Sequence, residues 1–243
     1  MTTLSHPRAH RARVIFAAAL MLLGIGLAAL GIWQVERRAW KHALISAVDT
    51  RSHAAPVAAP GPSDWPNIST ENSAYLHIRA TGRFLHDRET LVRAVTERGG
   101  GYWVMTPLRT DRFTLFVNRG FDPTKKRDPA TRAAGNPEGL VTVTGLLRIT
   151  EPKGGFLRHN DPAAGNWYSR DVAAIARARH LDGAAPYFLD ADAAPNPGGY
   201  PVGGLTVVRF PDNHLVYALT WFALSLFAFW AAWRVLVERP RAA

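Results

Sequence analysis

Two uninterrupted apolar runs constrain this chain more than any other feature. From Val14 to Val35, 22 consecutive residues carry no formal charge, and from Leu215 to Trp233 another 19 do the same. A helix needs about 20 apolar residues to cross the hydrocarbon core of a bilayer, so each run is long enough to span. The mean hydropathy of −0.08 resembles that of a soluble protein because it averages two lipid-filling segments with a polar middle. What lies between the runs is of single-domain size, since about 100 to 200 residues make a domain. The expected organisation is a cytoplasmic tail (1–13), a first span (14–35), an external β-rich domain (36–213) with a Pro-rich spacer (54–66), a second span (214–233) and a cytoplasmic tail (234–243).

Charge sets the orientation. Of the 29 Lys and Arg, 23 lie between Glu36 and Asn213 with 18 acids, and the rest sit in the tails. Tail charge beside an apolar span is an orientation signal rather than a nucleic-acid footprint. Arg8, Arg11 and Arg13 before the first span are balanced by Arg37, Arg38 and Lys41 after it. The second span breaks the tie, with Arg209 before it and Arg234, Arg239 and Arg241 after it. Both termini are therefore expected in the cytoplasm and the large domain outside. A cleavable signal peptide is the competing reading of the first run. Its apolar stretch is too long for an h-region, and it runs into Trp33-Gln34-Val35-Glu36-Arg37-Arg38 rather than a small-x-small cleavage site. Thirteen residues before the span leave little room for a mitochondrial transit peptide, which favours a bacterial cytoplasmic membrane. Cysteine is absent, excluding disulfides, thiolate metal sites and a cysteine nucleophile.

Beyond the first span, Trp40, Leu44 and Val48 continue a helical spacing to about Asp49, and the prolines at 56, 60, 62 and 66 then make a semi-rigid spacer. From Ala74 the period becomes two. Strands are expected at Tyr75–Ala80, Glu89–Val95, Tyr102–Met105, Phe113–Asn118, Leu140–Ile149, Pro186–Leu189 and Leu205–Phe210. Gly82 to Arg88 separates the first two, Gly99-Gly100-Gly101 suits a turn with positive φ, and Asp122–Glu138 reads as a long surface loop. Asp171 can cap one short helix running to His180. This pattern predicts an α+β membrane protein, with two terminal transmembrane helices flanking an antiparallel β-rich domain curled into a barrel. Gly24, Gly26, Ala28, Ala29 and Gly31 form a small-residue face for close helix packing.

No G-x-S-x-G elbow, Walker loop or H-E-x-x-H occurs, and the nine His are scattered singly, so a hydrolase or transferase has no catalytic constellation to rest on. The entrance to the second span is more informative. His214 stands at the outer membrane boundary, with Tyr217 and Trp221 following at three and seven on roughly the same helical face. An imidazole there can ligate haem iron, aromatic rings can stack on a macrocycle, and Arg209, Arg37 and Arg38 lie at a depth where they could pair with propionates. The same residues also suit simple anchoring at the interface, or a helix cap at Asn213 or His214. Arg119 and Gly120 read as a buried structural contact and a strand-end turn, Arg170 and Asp171 as an ion pair or cap, and Trp33 and Trp40 as interface anchors or contacts to the other span.

The chain resembles the surfeit-locus-one family of cytochrome c oxidase assembly factors almost from end to end. The resemblance is carried by Gly31-Ile32-Trp33-Gln34 with Arg37 and Lys41, Gly82-Arg83-Phe84, Gly101 to Leu108 (GYWVMTPL), Val117 to Phe121 (VNRGF), Asn160-Asp161-Pro162 with Trp167 and Arg170-Asp171, Tyr200-Pro201, and Asn213-His214 with Tyr217, Thr220 and Trp221. Phe121 departs from the family's frequent Trp, a change that a packing role tolerates. The resemblance implies a non-enzymatic role: helping haem a reach the catalytic subunit of a haem-copper oxidase, or holding that subunit as a scaffold that never touches haem. It also implies His214 as the haem contact and the oxidase catalytic subunit as partner, with haem A synthase as a further partner.

Overall fold

A computed structural model describes residues 7–155, 157–206 and 212–237, and divides into a terminal helical unit (1–46 with 209–243) and a central unit (47–208).

The helical unit pairs α1 (Pro7–His53) with α4 (His214–Val237). Only 17% of the first apolar stretch and 22% of the second is buried, so neither is packed like the core helix of a soluble protein. Ile15, Phe16, Leu22, Leu226 and Phe227 face outward. Buried positions include a seven-residue series, Ala17, Gly24 and Gly31 on α1 and Ala218, Ser225 and Ala232 on α4, with Ala228 buried beside the latter. A strict seven-residue repeat keeps one seam facing its partner, and small residues let the two backbones approach. The pairing is antiparallel. Arg13 near the start of α1 donates to the Val235 carbonyl near the end of α4, and Ser225 Oγ donates to the Gly24 carbonyl at 2.8 Å midway. Rings fill the two gaps left by glycine. A Cβ on Gly24 would stand 2.7 Å from the Phe229 ring, and one on Gly31 2.5 Å from Phe222, whereas Gly26 meets nothing. The expected small-residue face is thus narrower than the sequence implied, with Gly26 and Ala29 turned outward.

The central unit is a seven-stranded sheet: β1 (Val57–Ala58), β2 (His77–Phe84), β3 (Thr90–Thr96), β4 (Gly99–Arg109), β5 (Thr114–Pro123), β6 (Val141–Ile149) and β7 (Ala184–Ala191), in the order β1-β2-β6-β7-β5-β4-β3. A second pairing of β2 with β4, at Arg83 with Arg109 and Phe84 with Leu108, closes β2-β6-β7-β5-β4 into a barrel. Gly82 stands at the closure, where a Cβ would lie 2.4 Å from the Arg109 carbonyl oxygen. It continues the strand that the sequence appeared to end there, because only a missing side chain lets β4 approach so closely. The sheet is also not wholly antiparallel, since β5 pairs with β7, and β1 with β2, in parallel.

Ile78, Leu108, Leu115, Val117, Leu147, Tyr187 and Leu189, drawn from all five closing strands, fill the barrel. On the outer face, Val92, Met105, Phe116 and Phe188 pack under Trp167 and α3 (Val172–Ala178), whose N-cap is Asp171 accepting from the Ala174 amide. Strand β5 is covered on both faces, so Leu115, Phe116 and Val117 are buried in succession. Besides α3 there is one further α-helical turn, α2 (Thr70–Ser73), closed by a capping box between Ser69 and Asn72.

Three loop readings change. The Pro-rich segment is not a free spacer: Val57–Ala58 pairs with β2, and the Pro60 carbonyl accepts from Trp65 Nε1 and the Tyr187 hydroxyl. The Gly99–Gly101 tract belongs to β4, and only Gly99 has a positive φ, of 93°. The stretch 122–138 carries 3-10 turns and is tied down by the buried Arg132. Most of the last expected strand, 205–210, lies outside the described residues.

Candidate functional site

At the end of the helix pair where α4 begins, the seam changes from small to polar. Gln34, Arg38 and His42 stand four residues apart on α1, so they form one strip along the helix. The strip meets the first turn of α4. His214 Nδ1 and Gln34 Oε1 are 2.7 Å apart. An amide oxygen only accepts, so Nδ1 carries the hydrogen, and in the neutral ring Nε2 has a lone pair. Metal-ligating imidazoles are commonly oriented in this way, with one ring nitrogen held by an acceptor. Asp212, just before α4, ties the strip together. Its Oδ1 accepts from the His214 amide at 3.0 Å, and its Oδ2 lies 2.7 Å from His42 Nε2 and 3.3 Å from Arg38 Nε. The hydrogen bond from His42, then that from the His214 amide, hold the Asp212 carboxyl at about 2, well below its ordinary value.

These residues border an open cleft of about 290 Å³ whose wall is Val35, Arg38, Ala39, His42, His214, Leu215 and Ala218. An apolar floor with an imidazole, a guanidinium and a second histidine at its rim suits an amphipathic group with an apolar body and an acidic edge. The cleft is at the small end of ligand sites, so it would take one edge of a macrocycle.

Among the predicted site residues, His214 and Arg38 are brought together. Arg37 lies on another side of α1, its guanidinium 4.0 Å from the Trp40 ring centre. Tyr217 is half exposed on α4 and, like Trp221 two turns below His214, does not border the cleft. Arg209 lies outside the described residues. Trp33 and Trp40 are exposed, as interface anchors are. Gln34, His42 and Asp212 escaped a reading focused on α4, although the four-residue spacing of polar side chains on α1 was a visible signal. Among the described residues no three His, Asp or Glu side chains gather as a metal site.

The central unit has two buried charge clusters. Arg170 pairs with Glu151 and, at 3.1 Å, with Asp190, which Arg148 also holds at 3.0 Å. Arg132 is fully buried between Glu89 and Asp122. Its Nε hydrogen goes to the Lys126 carbonyl, so its 2.6 Å approach to Asp122 is Coulombic and both Asp122 oxygens lack a donor among the described residues. Burial pushes the Asp122 carboxyl up to about 6 against the pull of Arg132. Arg119 is buried as expected, donating to Asn136 Oδ1 at 2.8 Å and to the Gly135 carbonyl, and burial lowers it to about 10. Gly120 is not at a strand end. It sits inside β5 with φ 131°, against the Val202 carbonyl. Both clusters bind loops to the barrel and offer no open reaction site.

Fold and site together define a class: a two-span membrane protein whose sequence places a barrel-like domain between the spans and a histidine beside a cleft where the second span begins. The comparisons make it particular. The SURF1 family model matches residues 21–226, and the chain belongs to that family. It is 38% identical over 224 residues to human Surfeit locus protein 1, covering 85% of this chain and 72% of that protein. It is 36% identical over 222 residues to the mouse protein of the same name (84% and 70%) and 35% identical over 222 residues to a SURF1-like protein of Monosiga brevicollis (85% and 82%).

Proposed function

We propose that this chain is an assembly factor for a haem-copper terminal oxidase that presents haem a to the catalytic subunit and catalyses no reaction itself. It works in a bacterial cytoplasmic membrane, with both termini cytoplasmic, the barrel domain periplasmic and haem A synthase as a neighbouring partner. The observation that carries the reading is the Gln34–His214 hydrogen bond, which leaves Nε2 with a free lone pair at the rim of a cleft. Haem as cargo brings an iron that accepts an axial nitrogen and propionates that pair with a guanidinium. Here His214 would supply the nitrogen and Arg38 the cation. One imidazole and a cleft that takes only an edge favour release over retention, as delivery demands.

Protein purified from cells making haem A is expected to show an a-type absorption spectrum that His214→Ala abolishes and Gln34→Leu weakens. Undiminished haem in His214→Ala would remove His214 from the mechanism. Capture of the oxidase subunit without haem, whether or not the cells make haem A, would instead make the chain a scaffold that holds the subunit.

A further inference from the structure

A cleft of about 460 Å³ in the central unit lies between the β3 edge, the 3-10 segment near Pro129 and the Gly165–Trp167 loop. Three arginines line it: Arg93, Arg127 and Arg179. None forms a salt bridge among the described residues, whereas Arg132, Arg148 and Arg170 are all paired with carboxylates. The two acids in the wall are already engaged, Asp87 by Arg88 at 3.0 Å and Glu89 by Arg132. The concavity therefore has an uncompensated positive charge, and low-dielectric walls concentrate such a field.

The three guanidiniums are also held in place. Arg93 lies 5.7 Å from the centre of the Tyr168 ring and Arg127 5.7 Å from that of Tyr102. Arg179 Nε donates to the buried Thr90 hydroxyl at 2.8 Å, leaving its two terminal nitrogens for a ligand. Planar forks held in this way match the paired oxygens of a carboxylate or phosphate. His86, also in the wall, donates Nε2–H to the Pro137 carbonyl, and its buried Nδ1 has no partner among the described residues.

The geometry points to a binding site for a small polyanion carrying two or more phosphate or carboxylate groups. The site is separate from the helix-pair cleft and does not depend on haem binding there. The volume is that of a small-molecule site.

The test is isothermal titration of the full chain in neutral detergent with two probes, inorganic pyrophosphate and citrate, which separate a phosphate from a carboxylate ligand. At least one should bind saturably at one site per chain. Arg93→Gln with Arg127→Gln, both at exposed positions, should weaken it by at least about ten-fold per arginine, the effect of losing a charge-assisted bidentate contact. The charge-matched control Arg83→Gln with Arg177→Gln, outside the cleft, should bind as the wild type does. Two results would overturn the site: no saturable binding of either probe, or equal loss in the control.

Discussion

Replacing Arg132 by Met should unfold the barrel domain more readily than any comparable surface change. Its guanidinium is fully buried and stands between Glu89 and Asp122, whose side chains are 7% and 0% exposed. Breaking a buried pair by removing one partner costs about 3 to 5 kcal/mol, because a desolvated charge is left behind. Asp122 softens the loss. Burial already holds it up at about 6, and without Arg132 it rises further and takes up a proton at pH 7. That leaves Glu89 as the uncompensated charge and places the expected cost near the low end, at about 3 kcal/mol. For a domain of this size that is a fall in Tm of roughly 6 to 12 °C. Arg170→Met is the internal comparison. Asp190 would keep Arg148 at 3.0 Å, Asn118 at 2.8 Å and Thr206 at 2.9 Å, so the loss should be about half as large. Thermal unfolding of the full chain in detergent, followed by near-UV circular dichroism at pH 7, gives both values. A loss under about 1 kcal/mol for Arg132→Met, or a larger one for Arg170→Met, would refute the assignment of Arg132 as the keystone of the 122–138 segment. Adding Glu89→Leu to Arg132→Met should restore most of the stability, since an apolar pair can replace a buried ionic one.

Losing the Gln34 acceptor frees the His214 ring to change tautomer, so Gln34→Leu should weaken haem binding by about 10- to 100-fold; unchanged affinity in a titration with haem would show that the hydrogen bond has no orienting role. Because the folded-state Asp122 lies at about 6, above its ordinary value of 3.8, the native state binds more protons than the unfolded state between those values. Its contribution to stability is therefore full below about pH 4 and is lost as pH rises through 6. Denaturant unfolding of wild type and Asp122→Asn should show a stability difference that moves against the wild type across that window and is level above pH 7; a flat difference throughout would contradict the buried, donor-free carboxylate. The chain has no native cysteine, so an Ala17→Cys with Ala232→Cys pair should oxidise to one intramolecular disulfide. Adding Gly31→Leu, which drives a side chain into the Phe222 ring, should slow that crosslink several-fold, and an unchanged rate would argue against the seam.

The spans, the strand positions and the α3 cap were legible because each rests on a local signal: unbroken apolar length, period two, and an Asp three residues before the amide it caps. A barrel was expected, but the pairing that closes it was not legible. It depends on Gly82 meeting the Arg109 carbonyl 27 positions away, and a glycine needed for close approach looks in sequence like a glycine that ends a strand. The parallel β5–β7 pairing escaped for the same reason, since β5 is covered on both faces and gives no alternation from which a neighbour can be inferred. Arg132 was hidden within a loop rich in proline and charge, where burial depends wholly on distant acids at positions 89 and 122.

The helix pair explains why its site lies where it does. Along Ala17, Gly24 and Gly31 the α1 seam carries almost no side-chain volume, and α4 answers with Ala218, Ser225 and Ala232, so close approach there leaves no room for a ligand. The same seven-residue repeat continues outward from Gly31 to Arg38, replacing a hydrogen atom by a long cationic side chain opposite the first turn of α4. Close packing cannot persist past that substitution, and the cleft beside His214 opens at the register where it occurs. Sequence alone set His214 at the start of the second helix and named Arg38 beside it, but chose its nearest companions by distance along α4. The structure draws them from α1 instead, because in an antiparallel pair the residues beside the start of one helix come from the far end of the other. Tyr217 and Trp221 follow His214 in the chain; Gln34, Arg38 and His42 meet it in space.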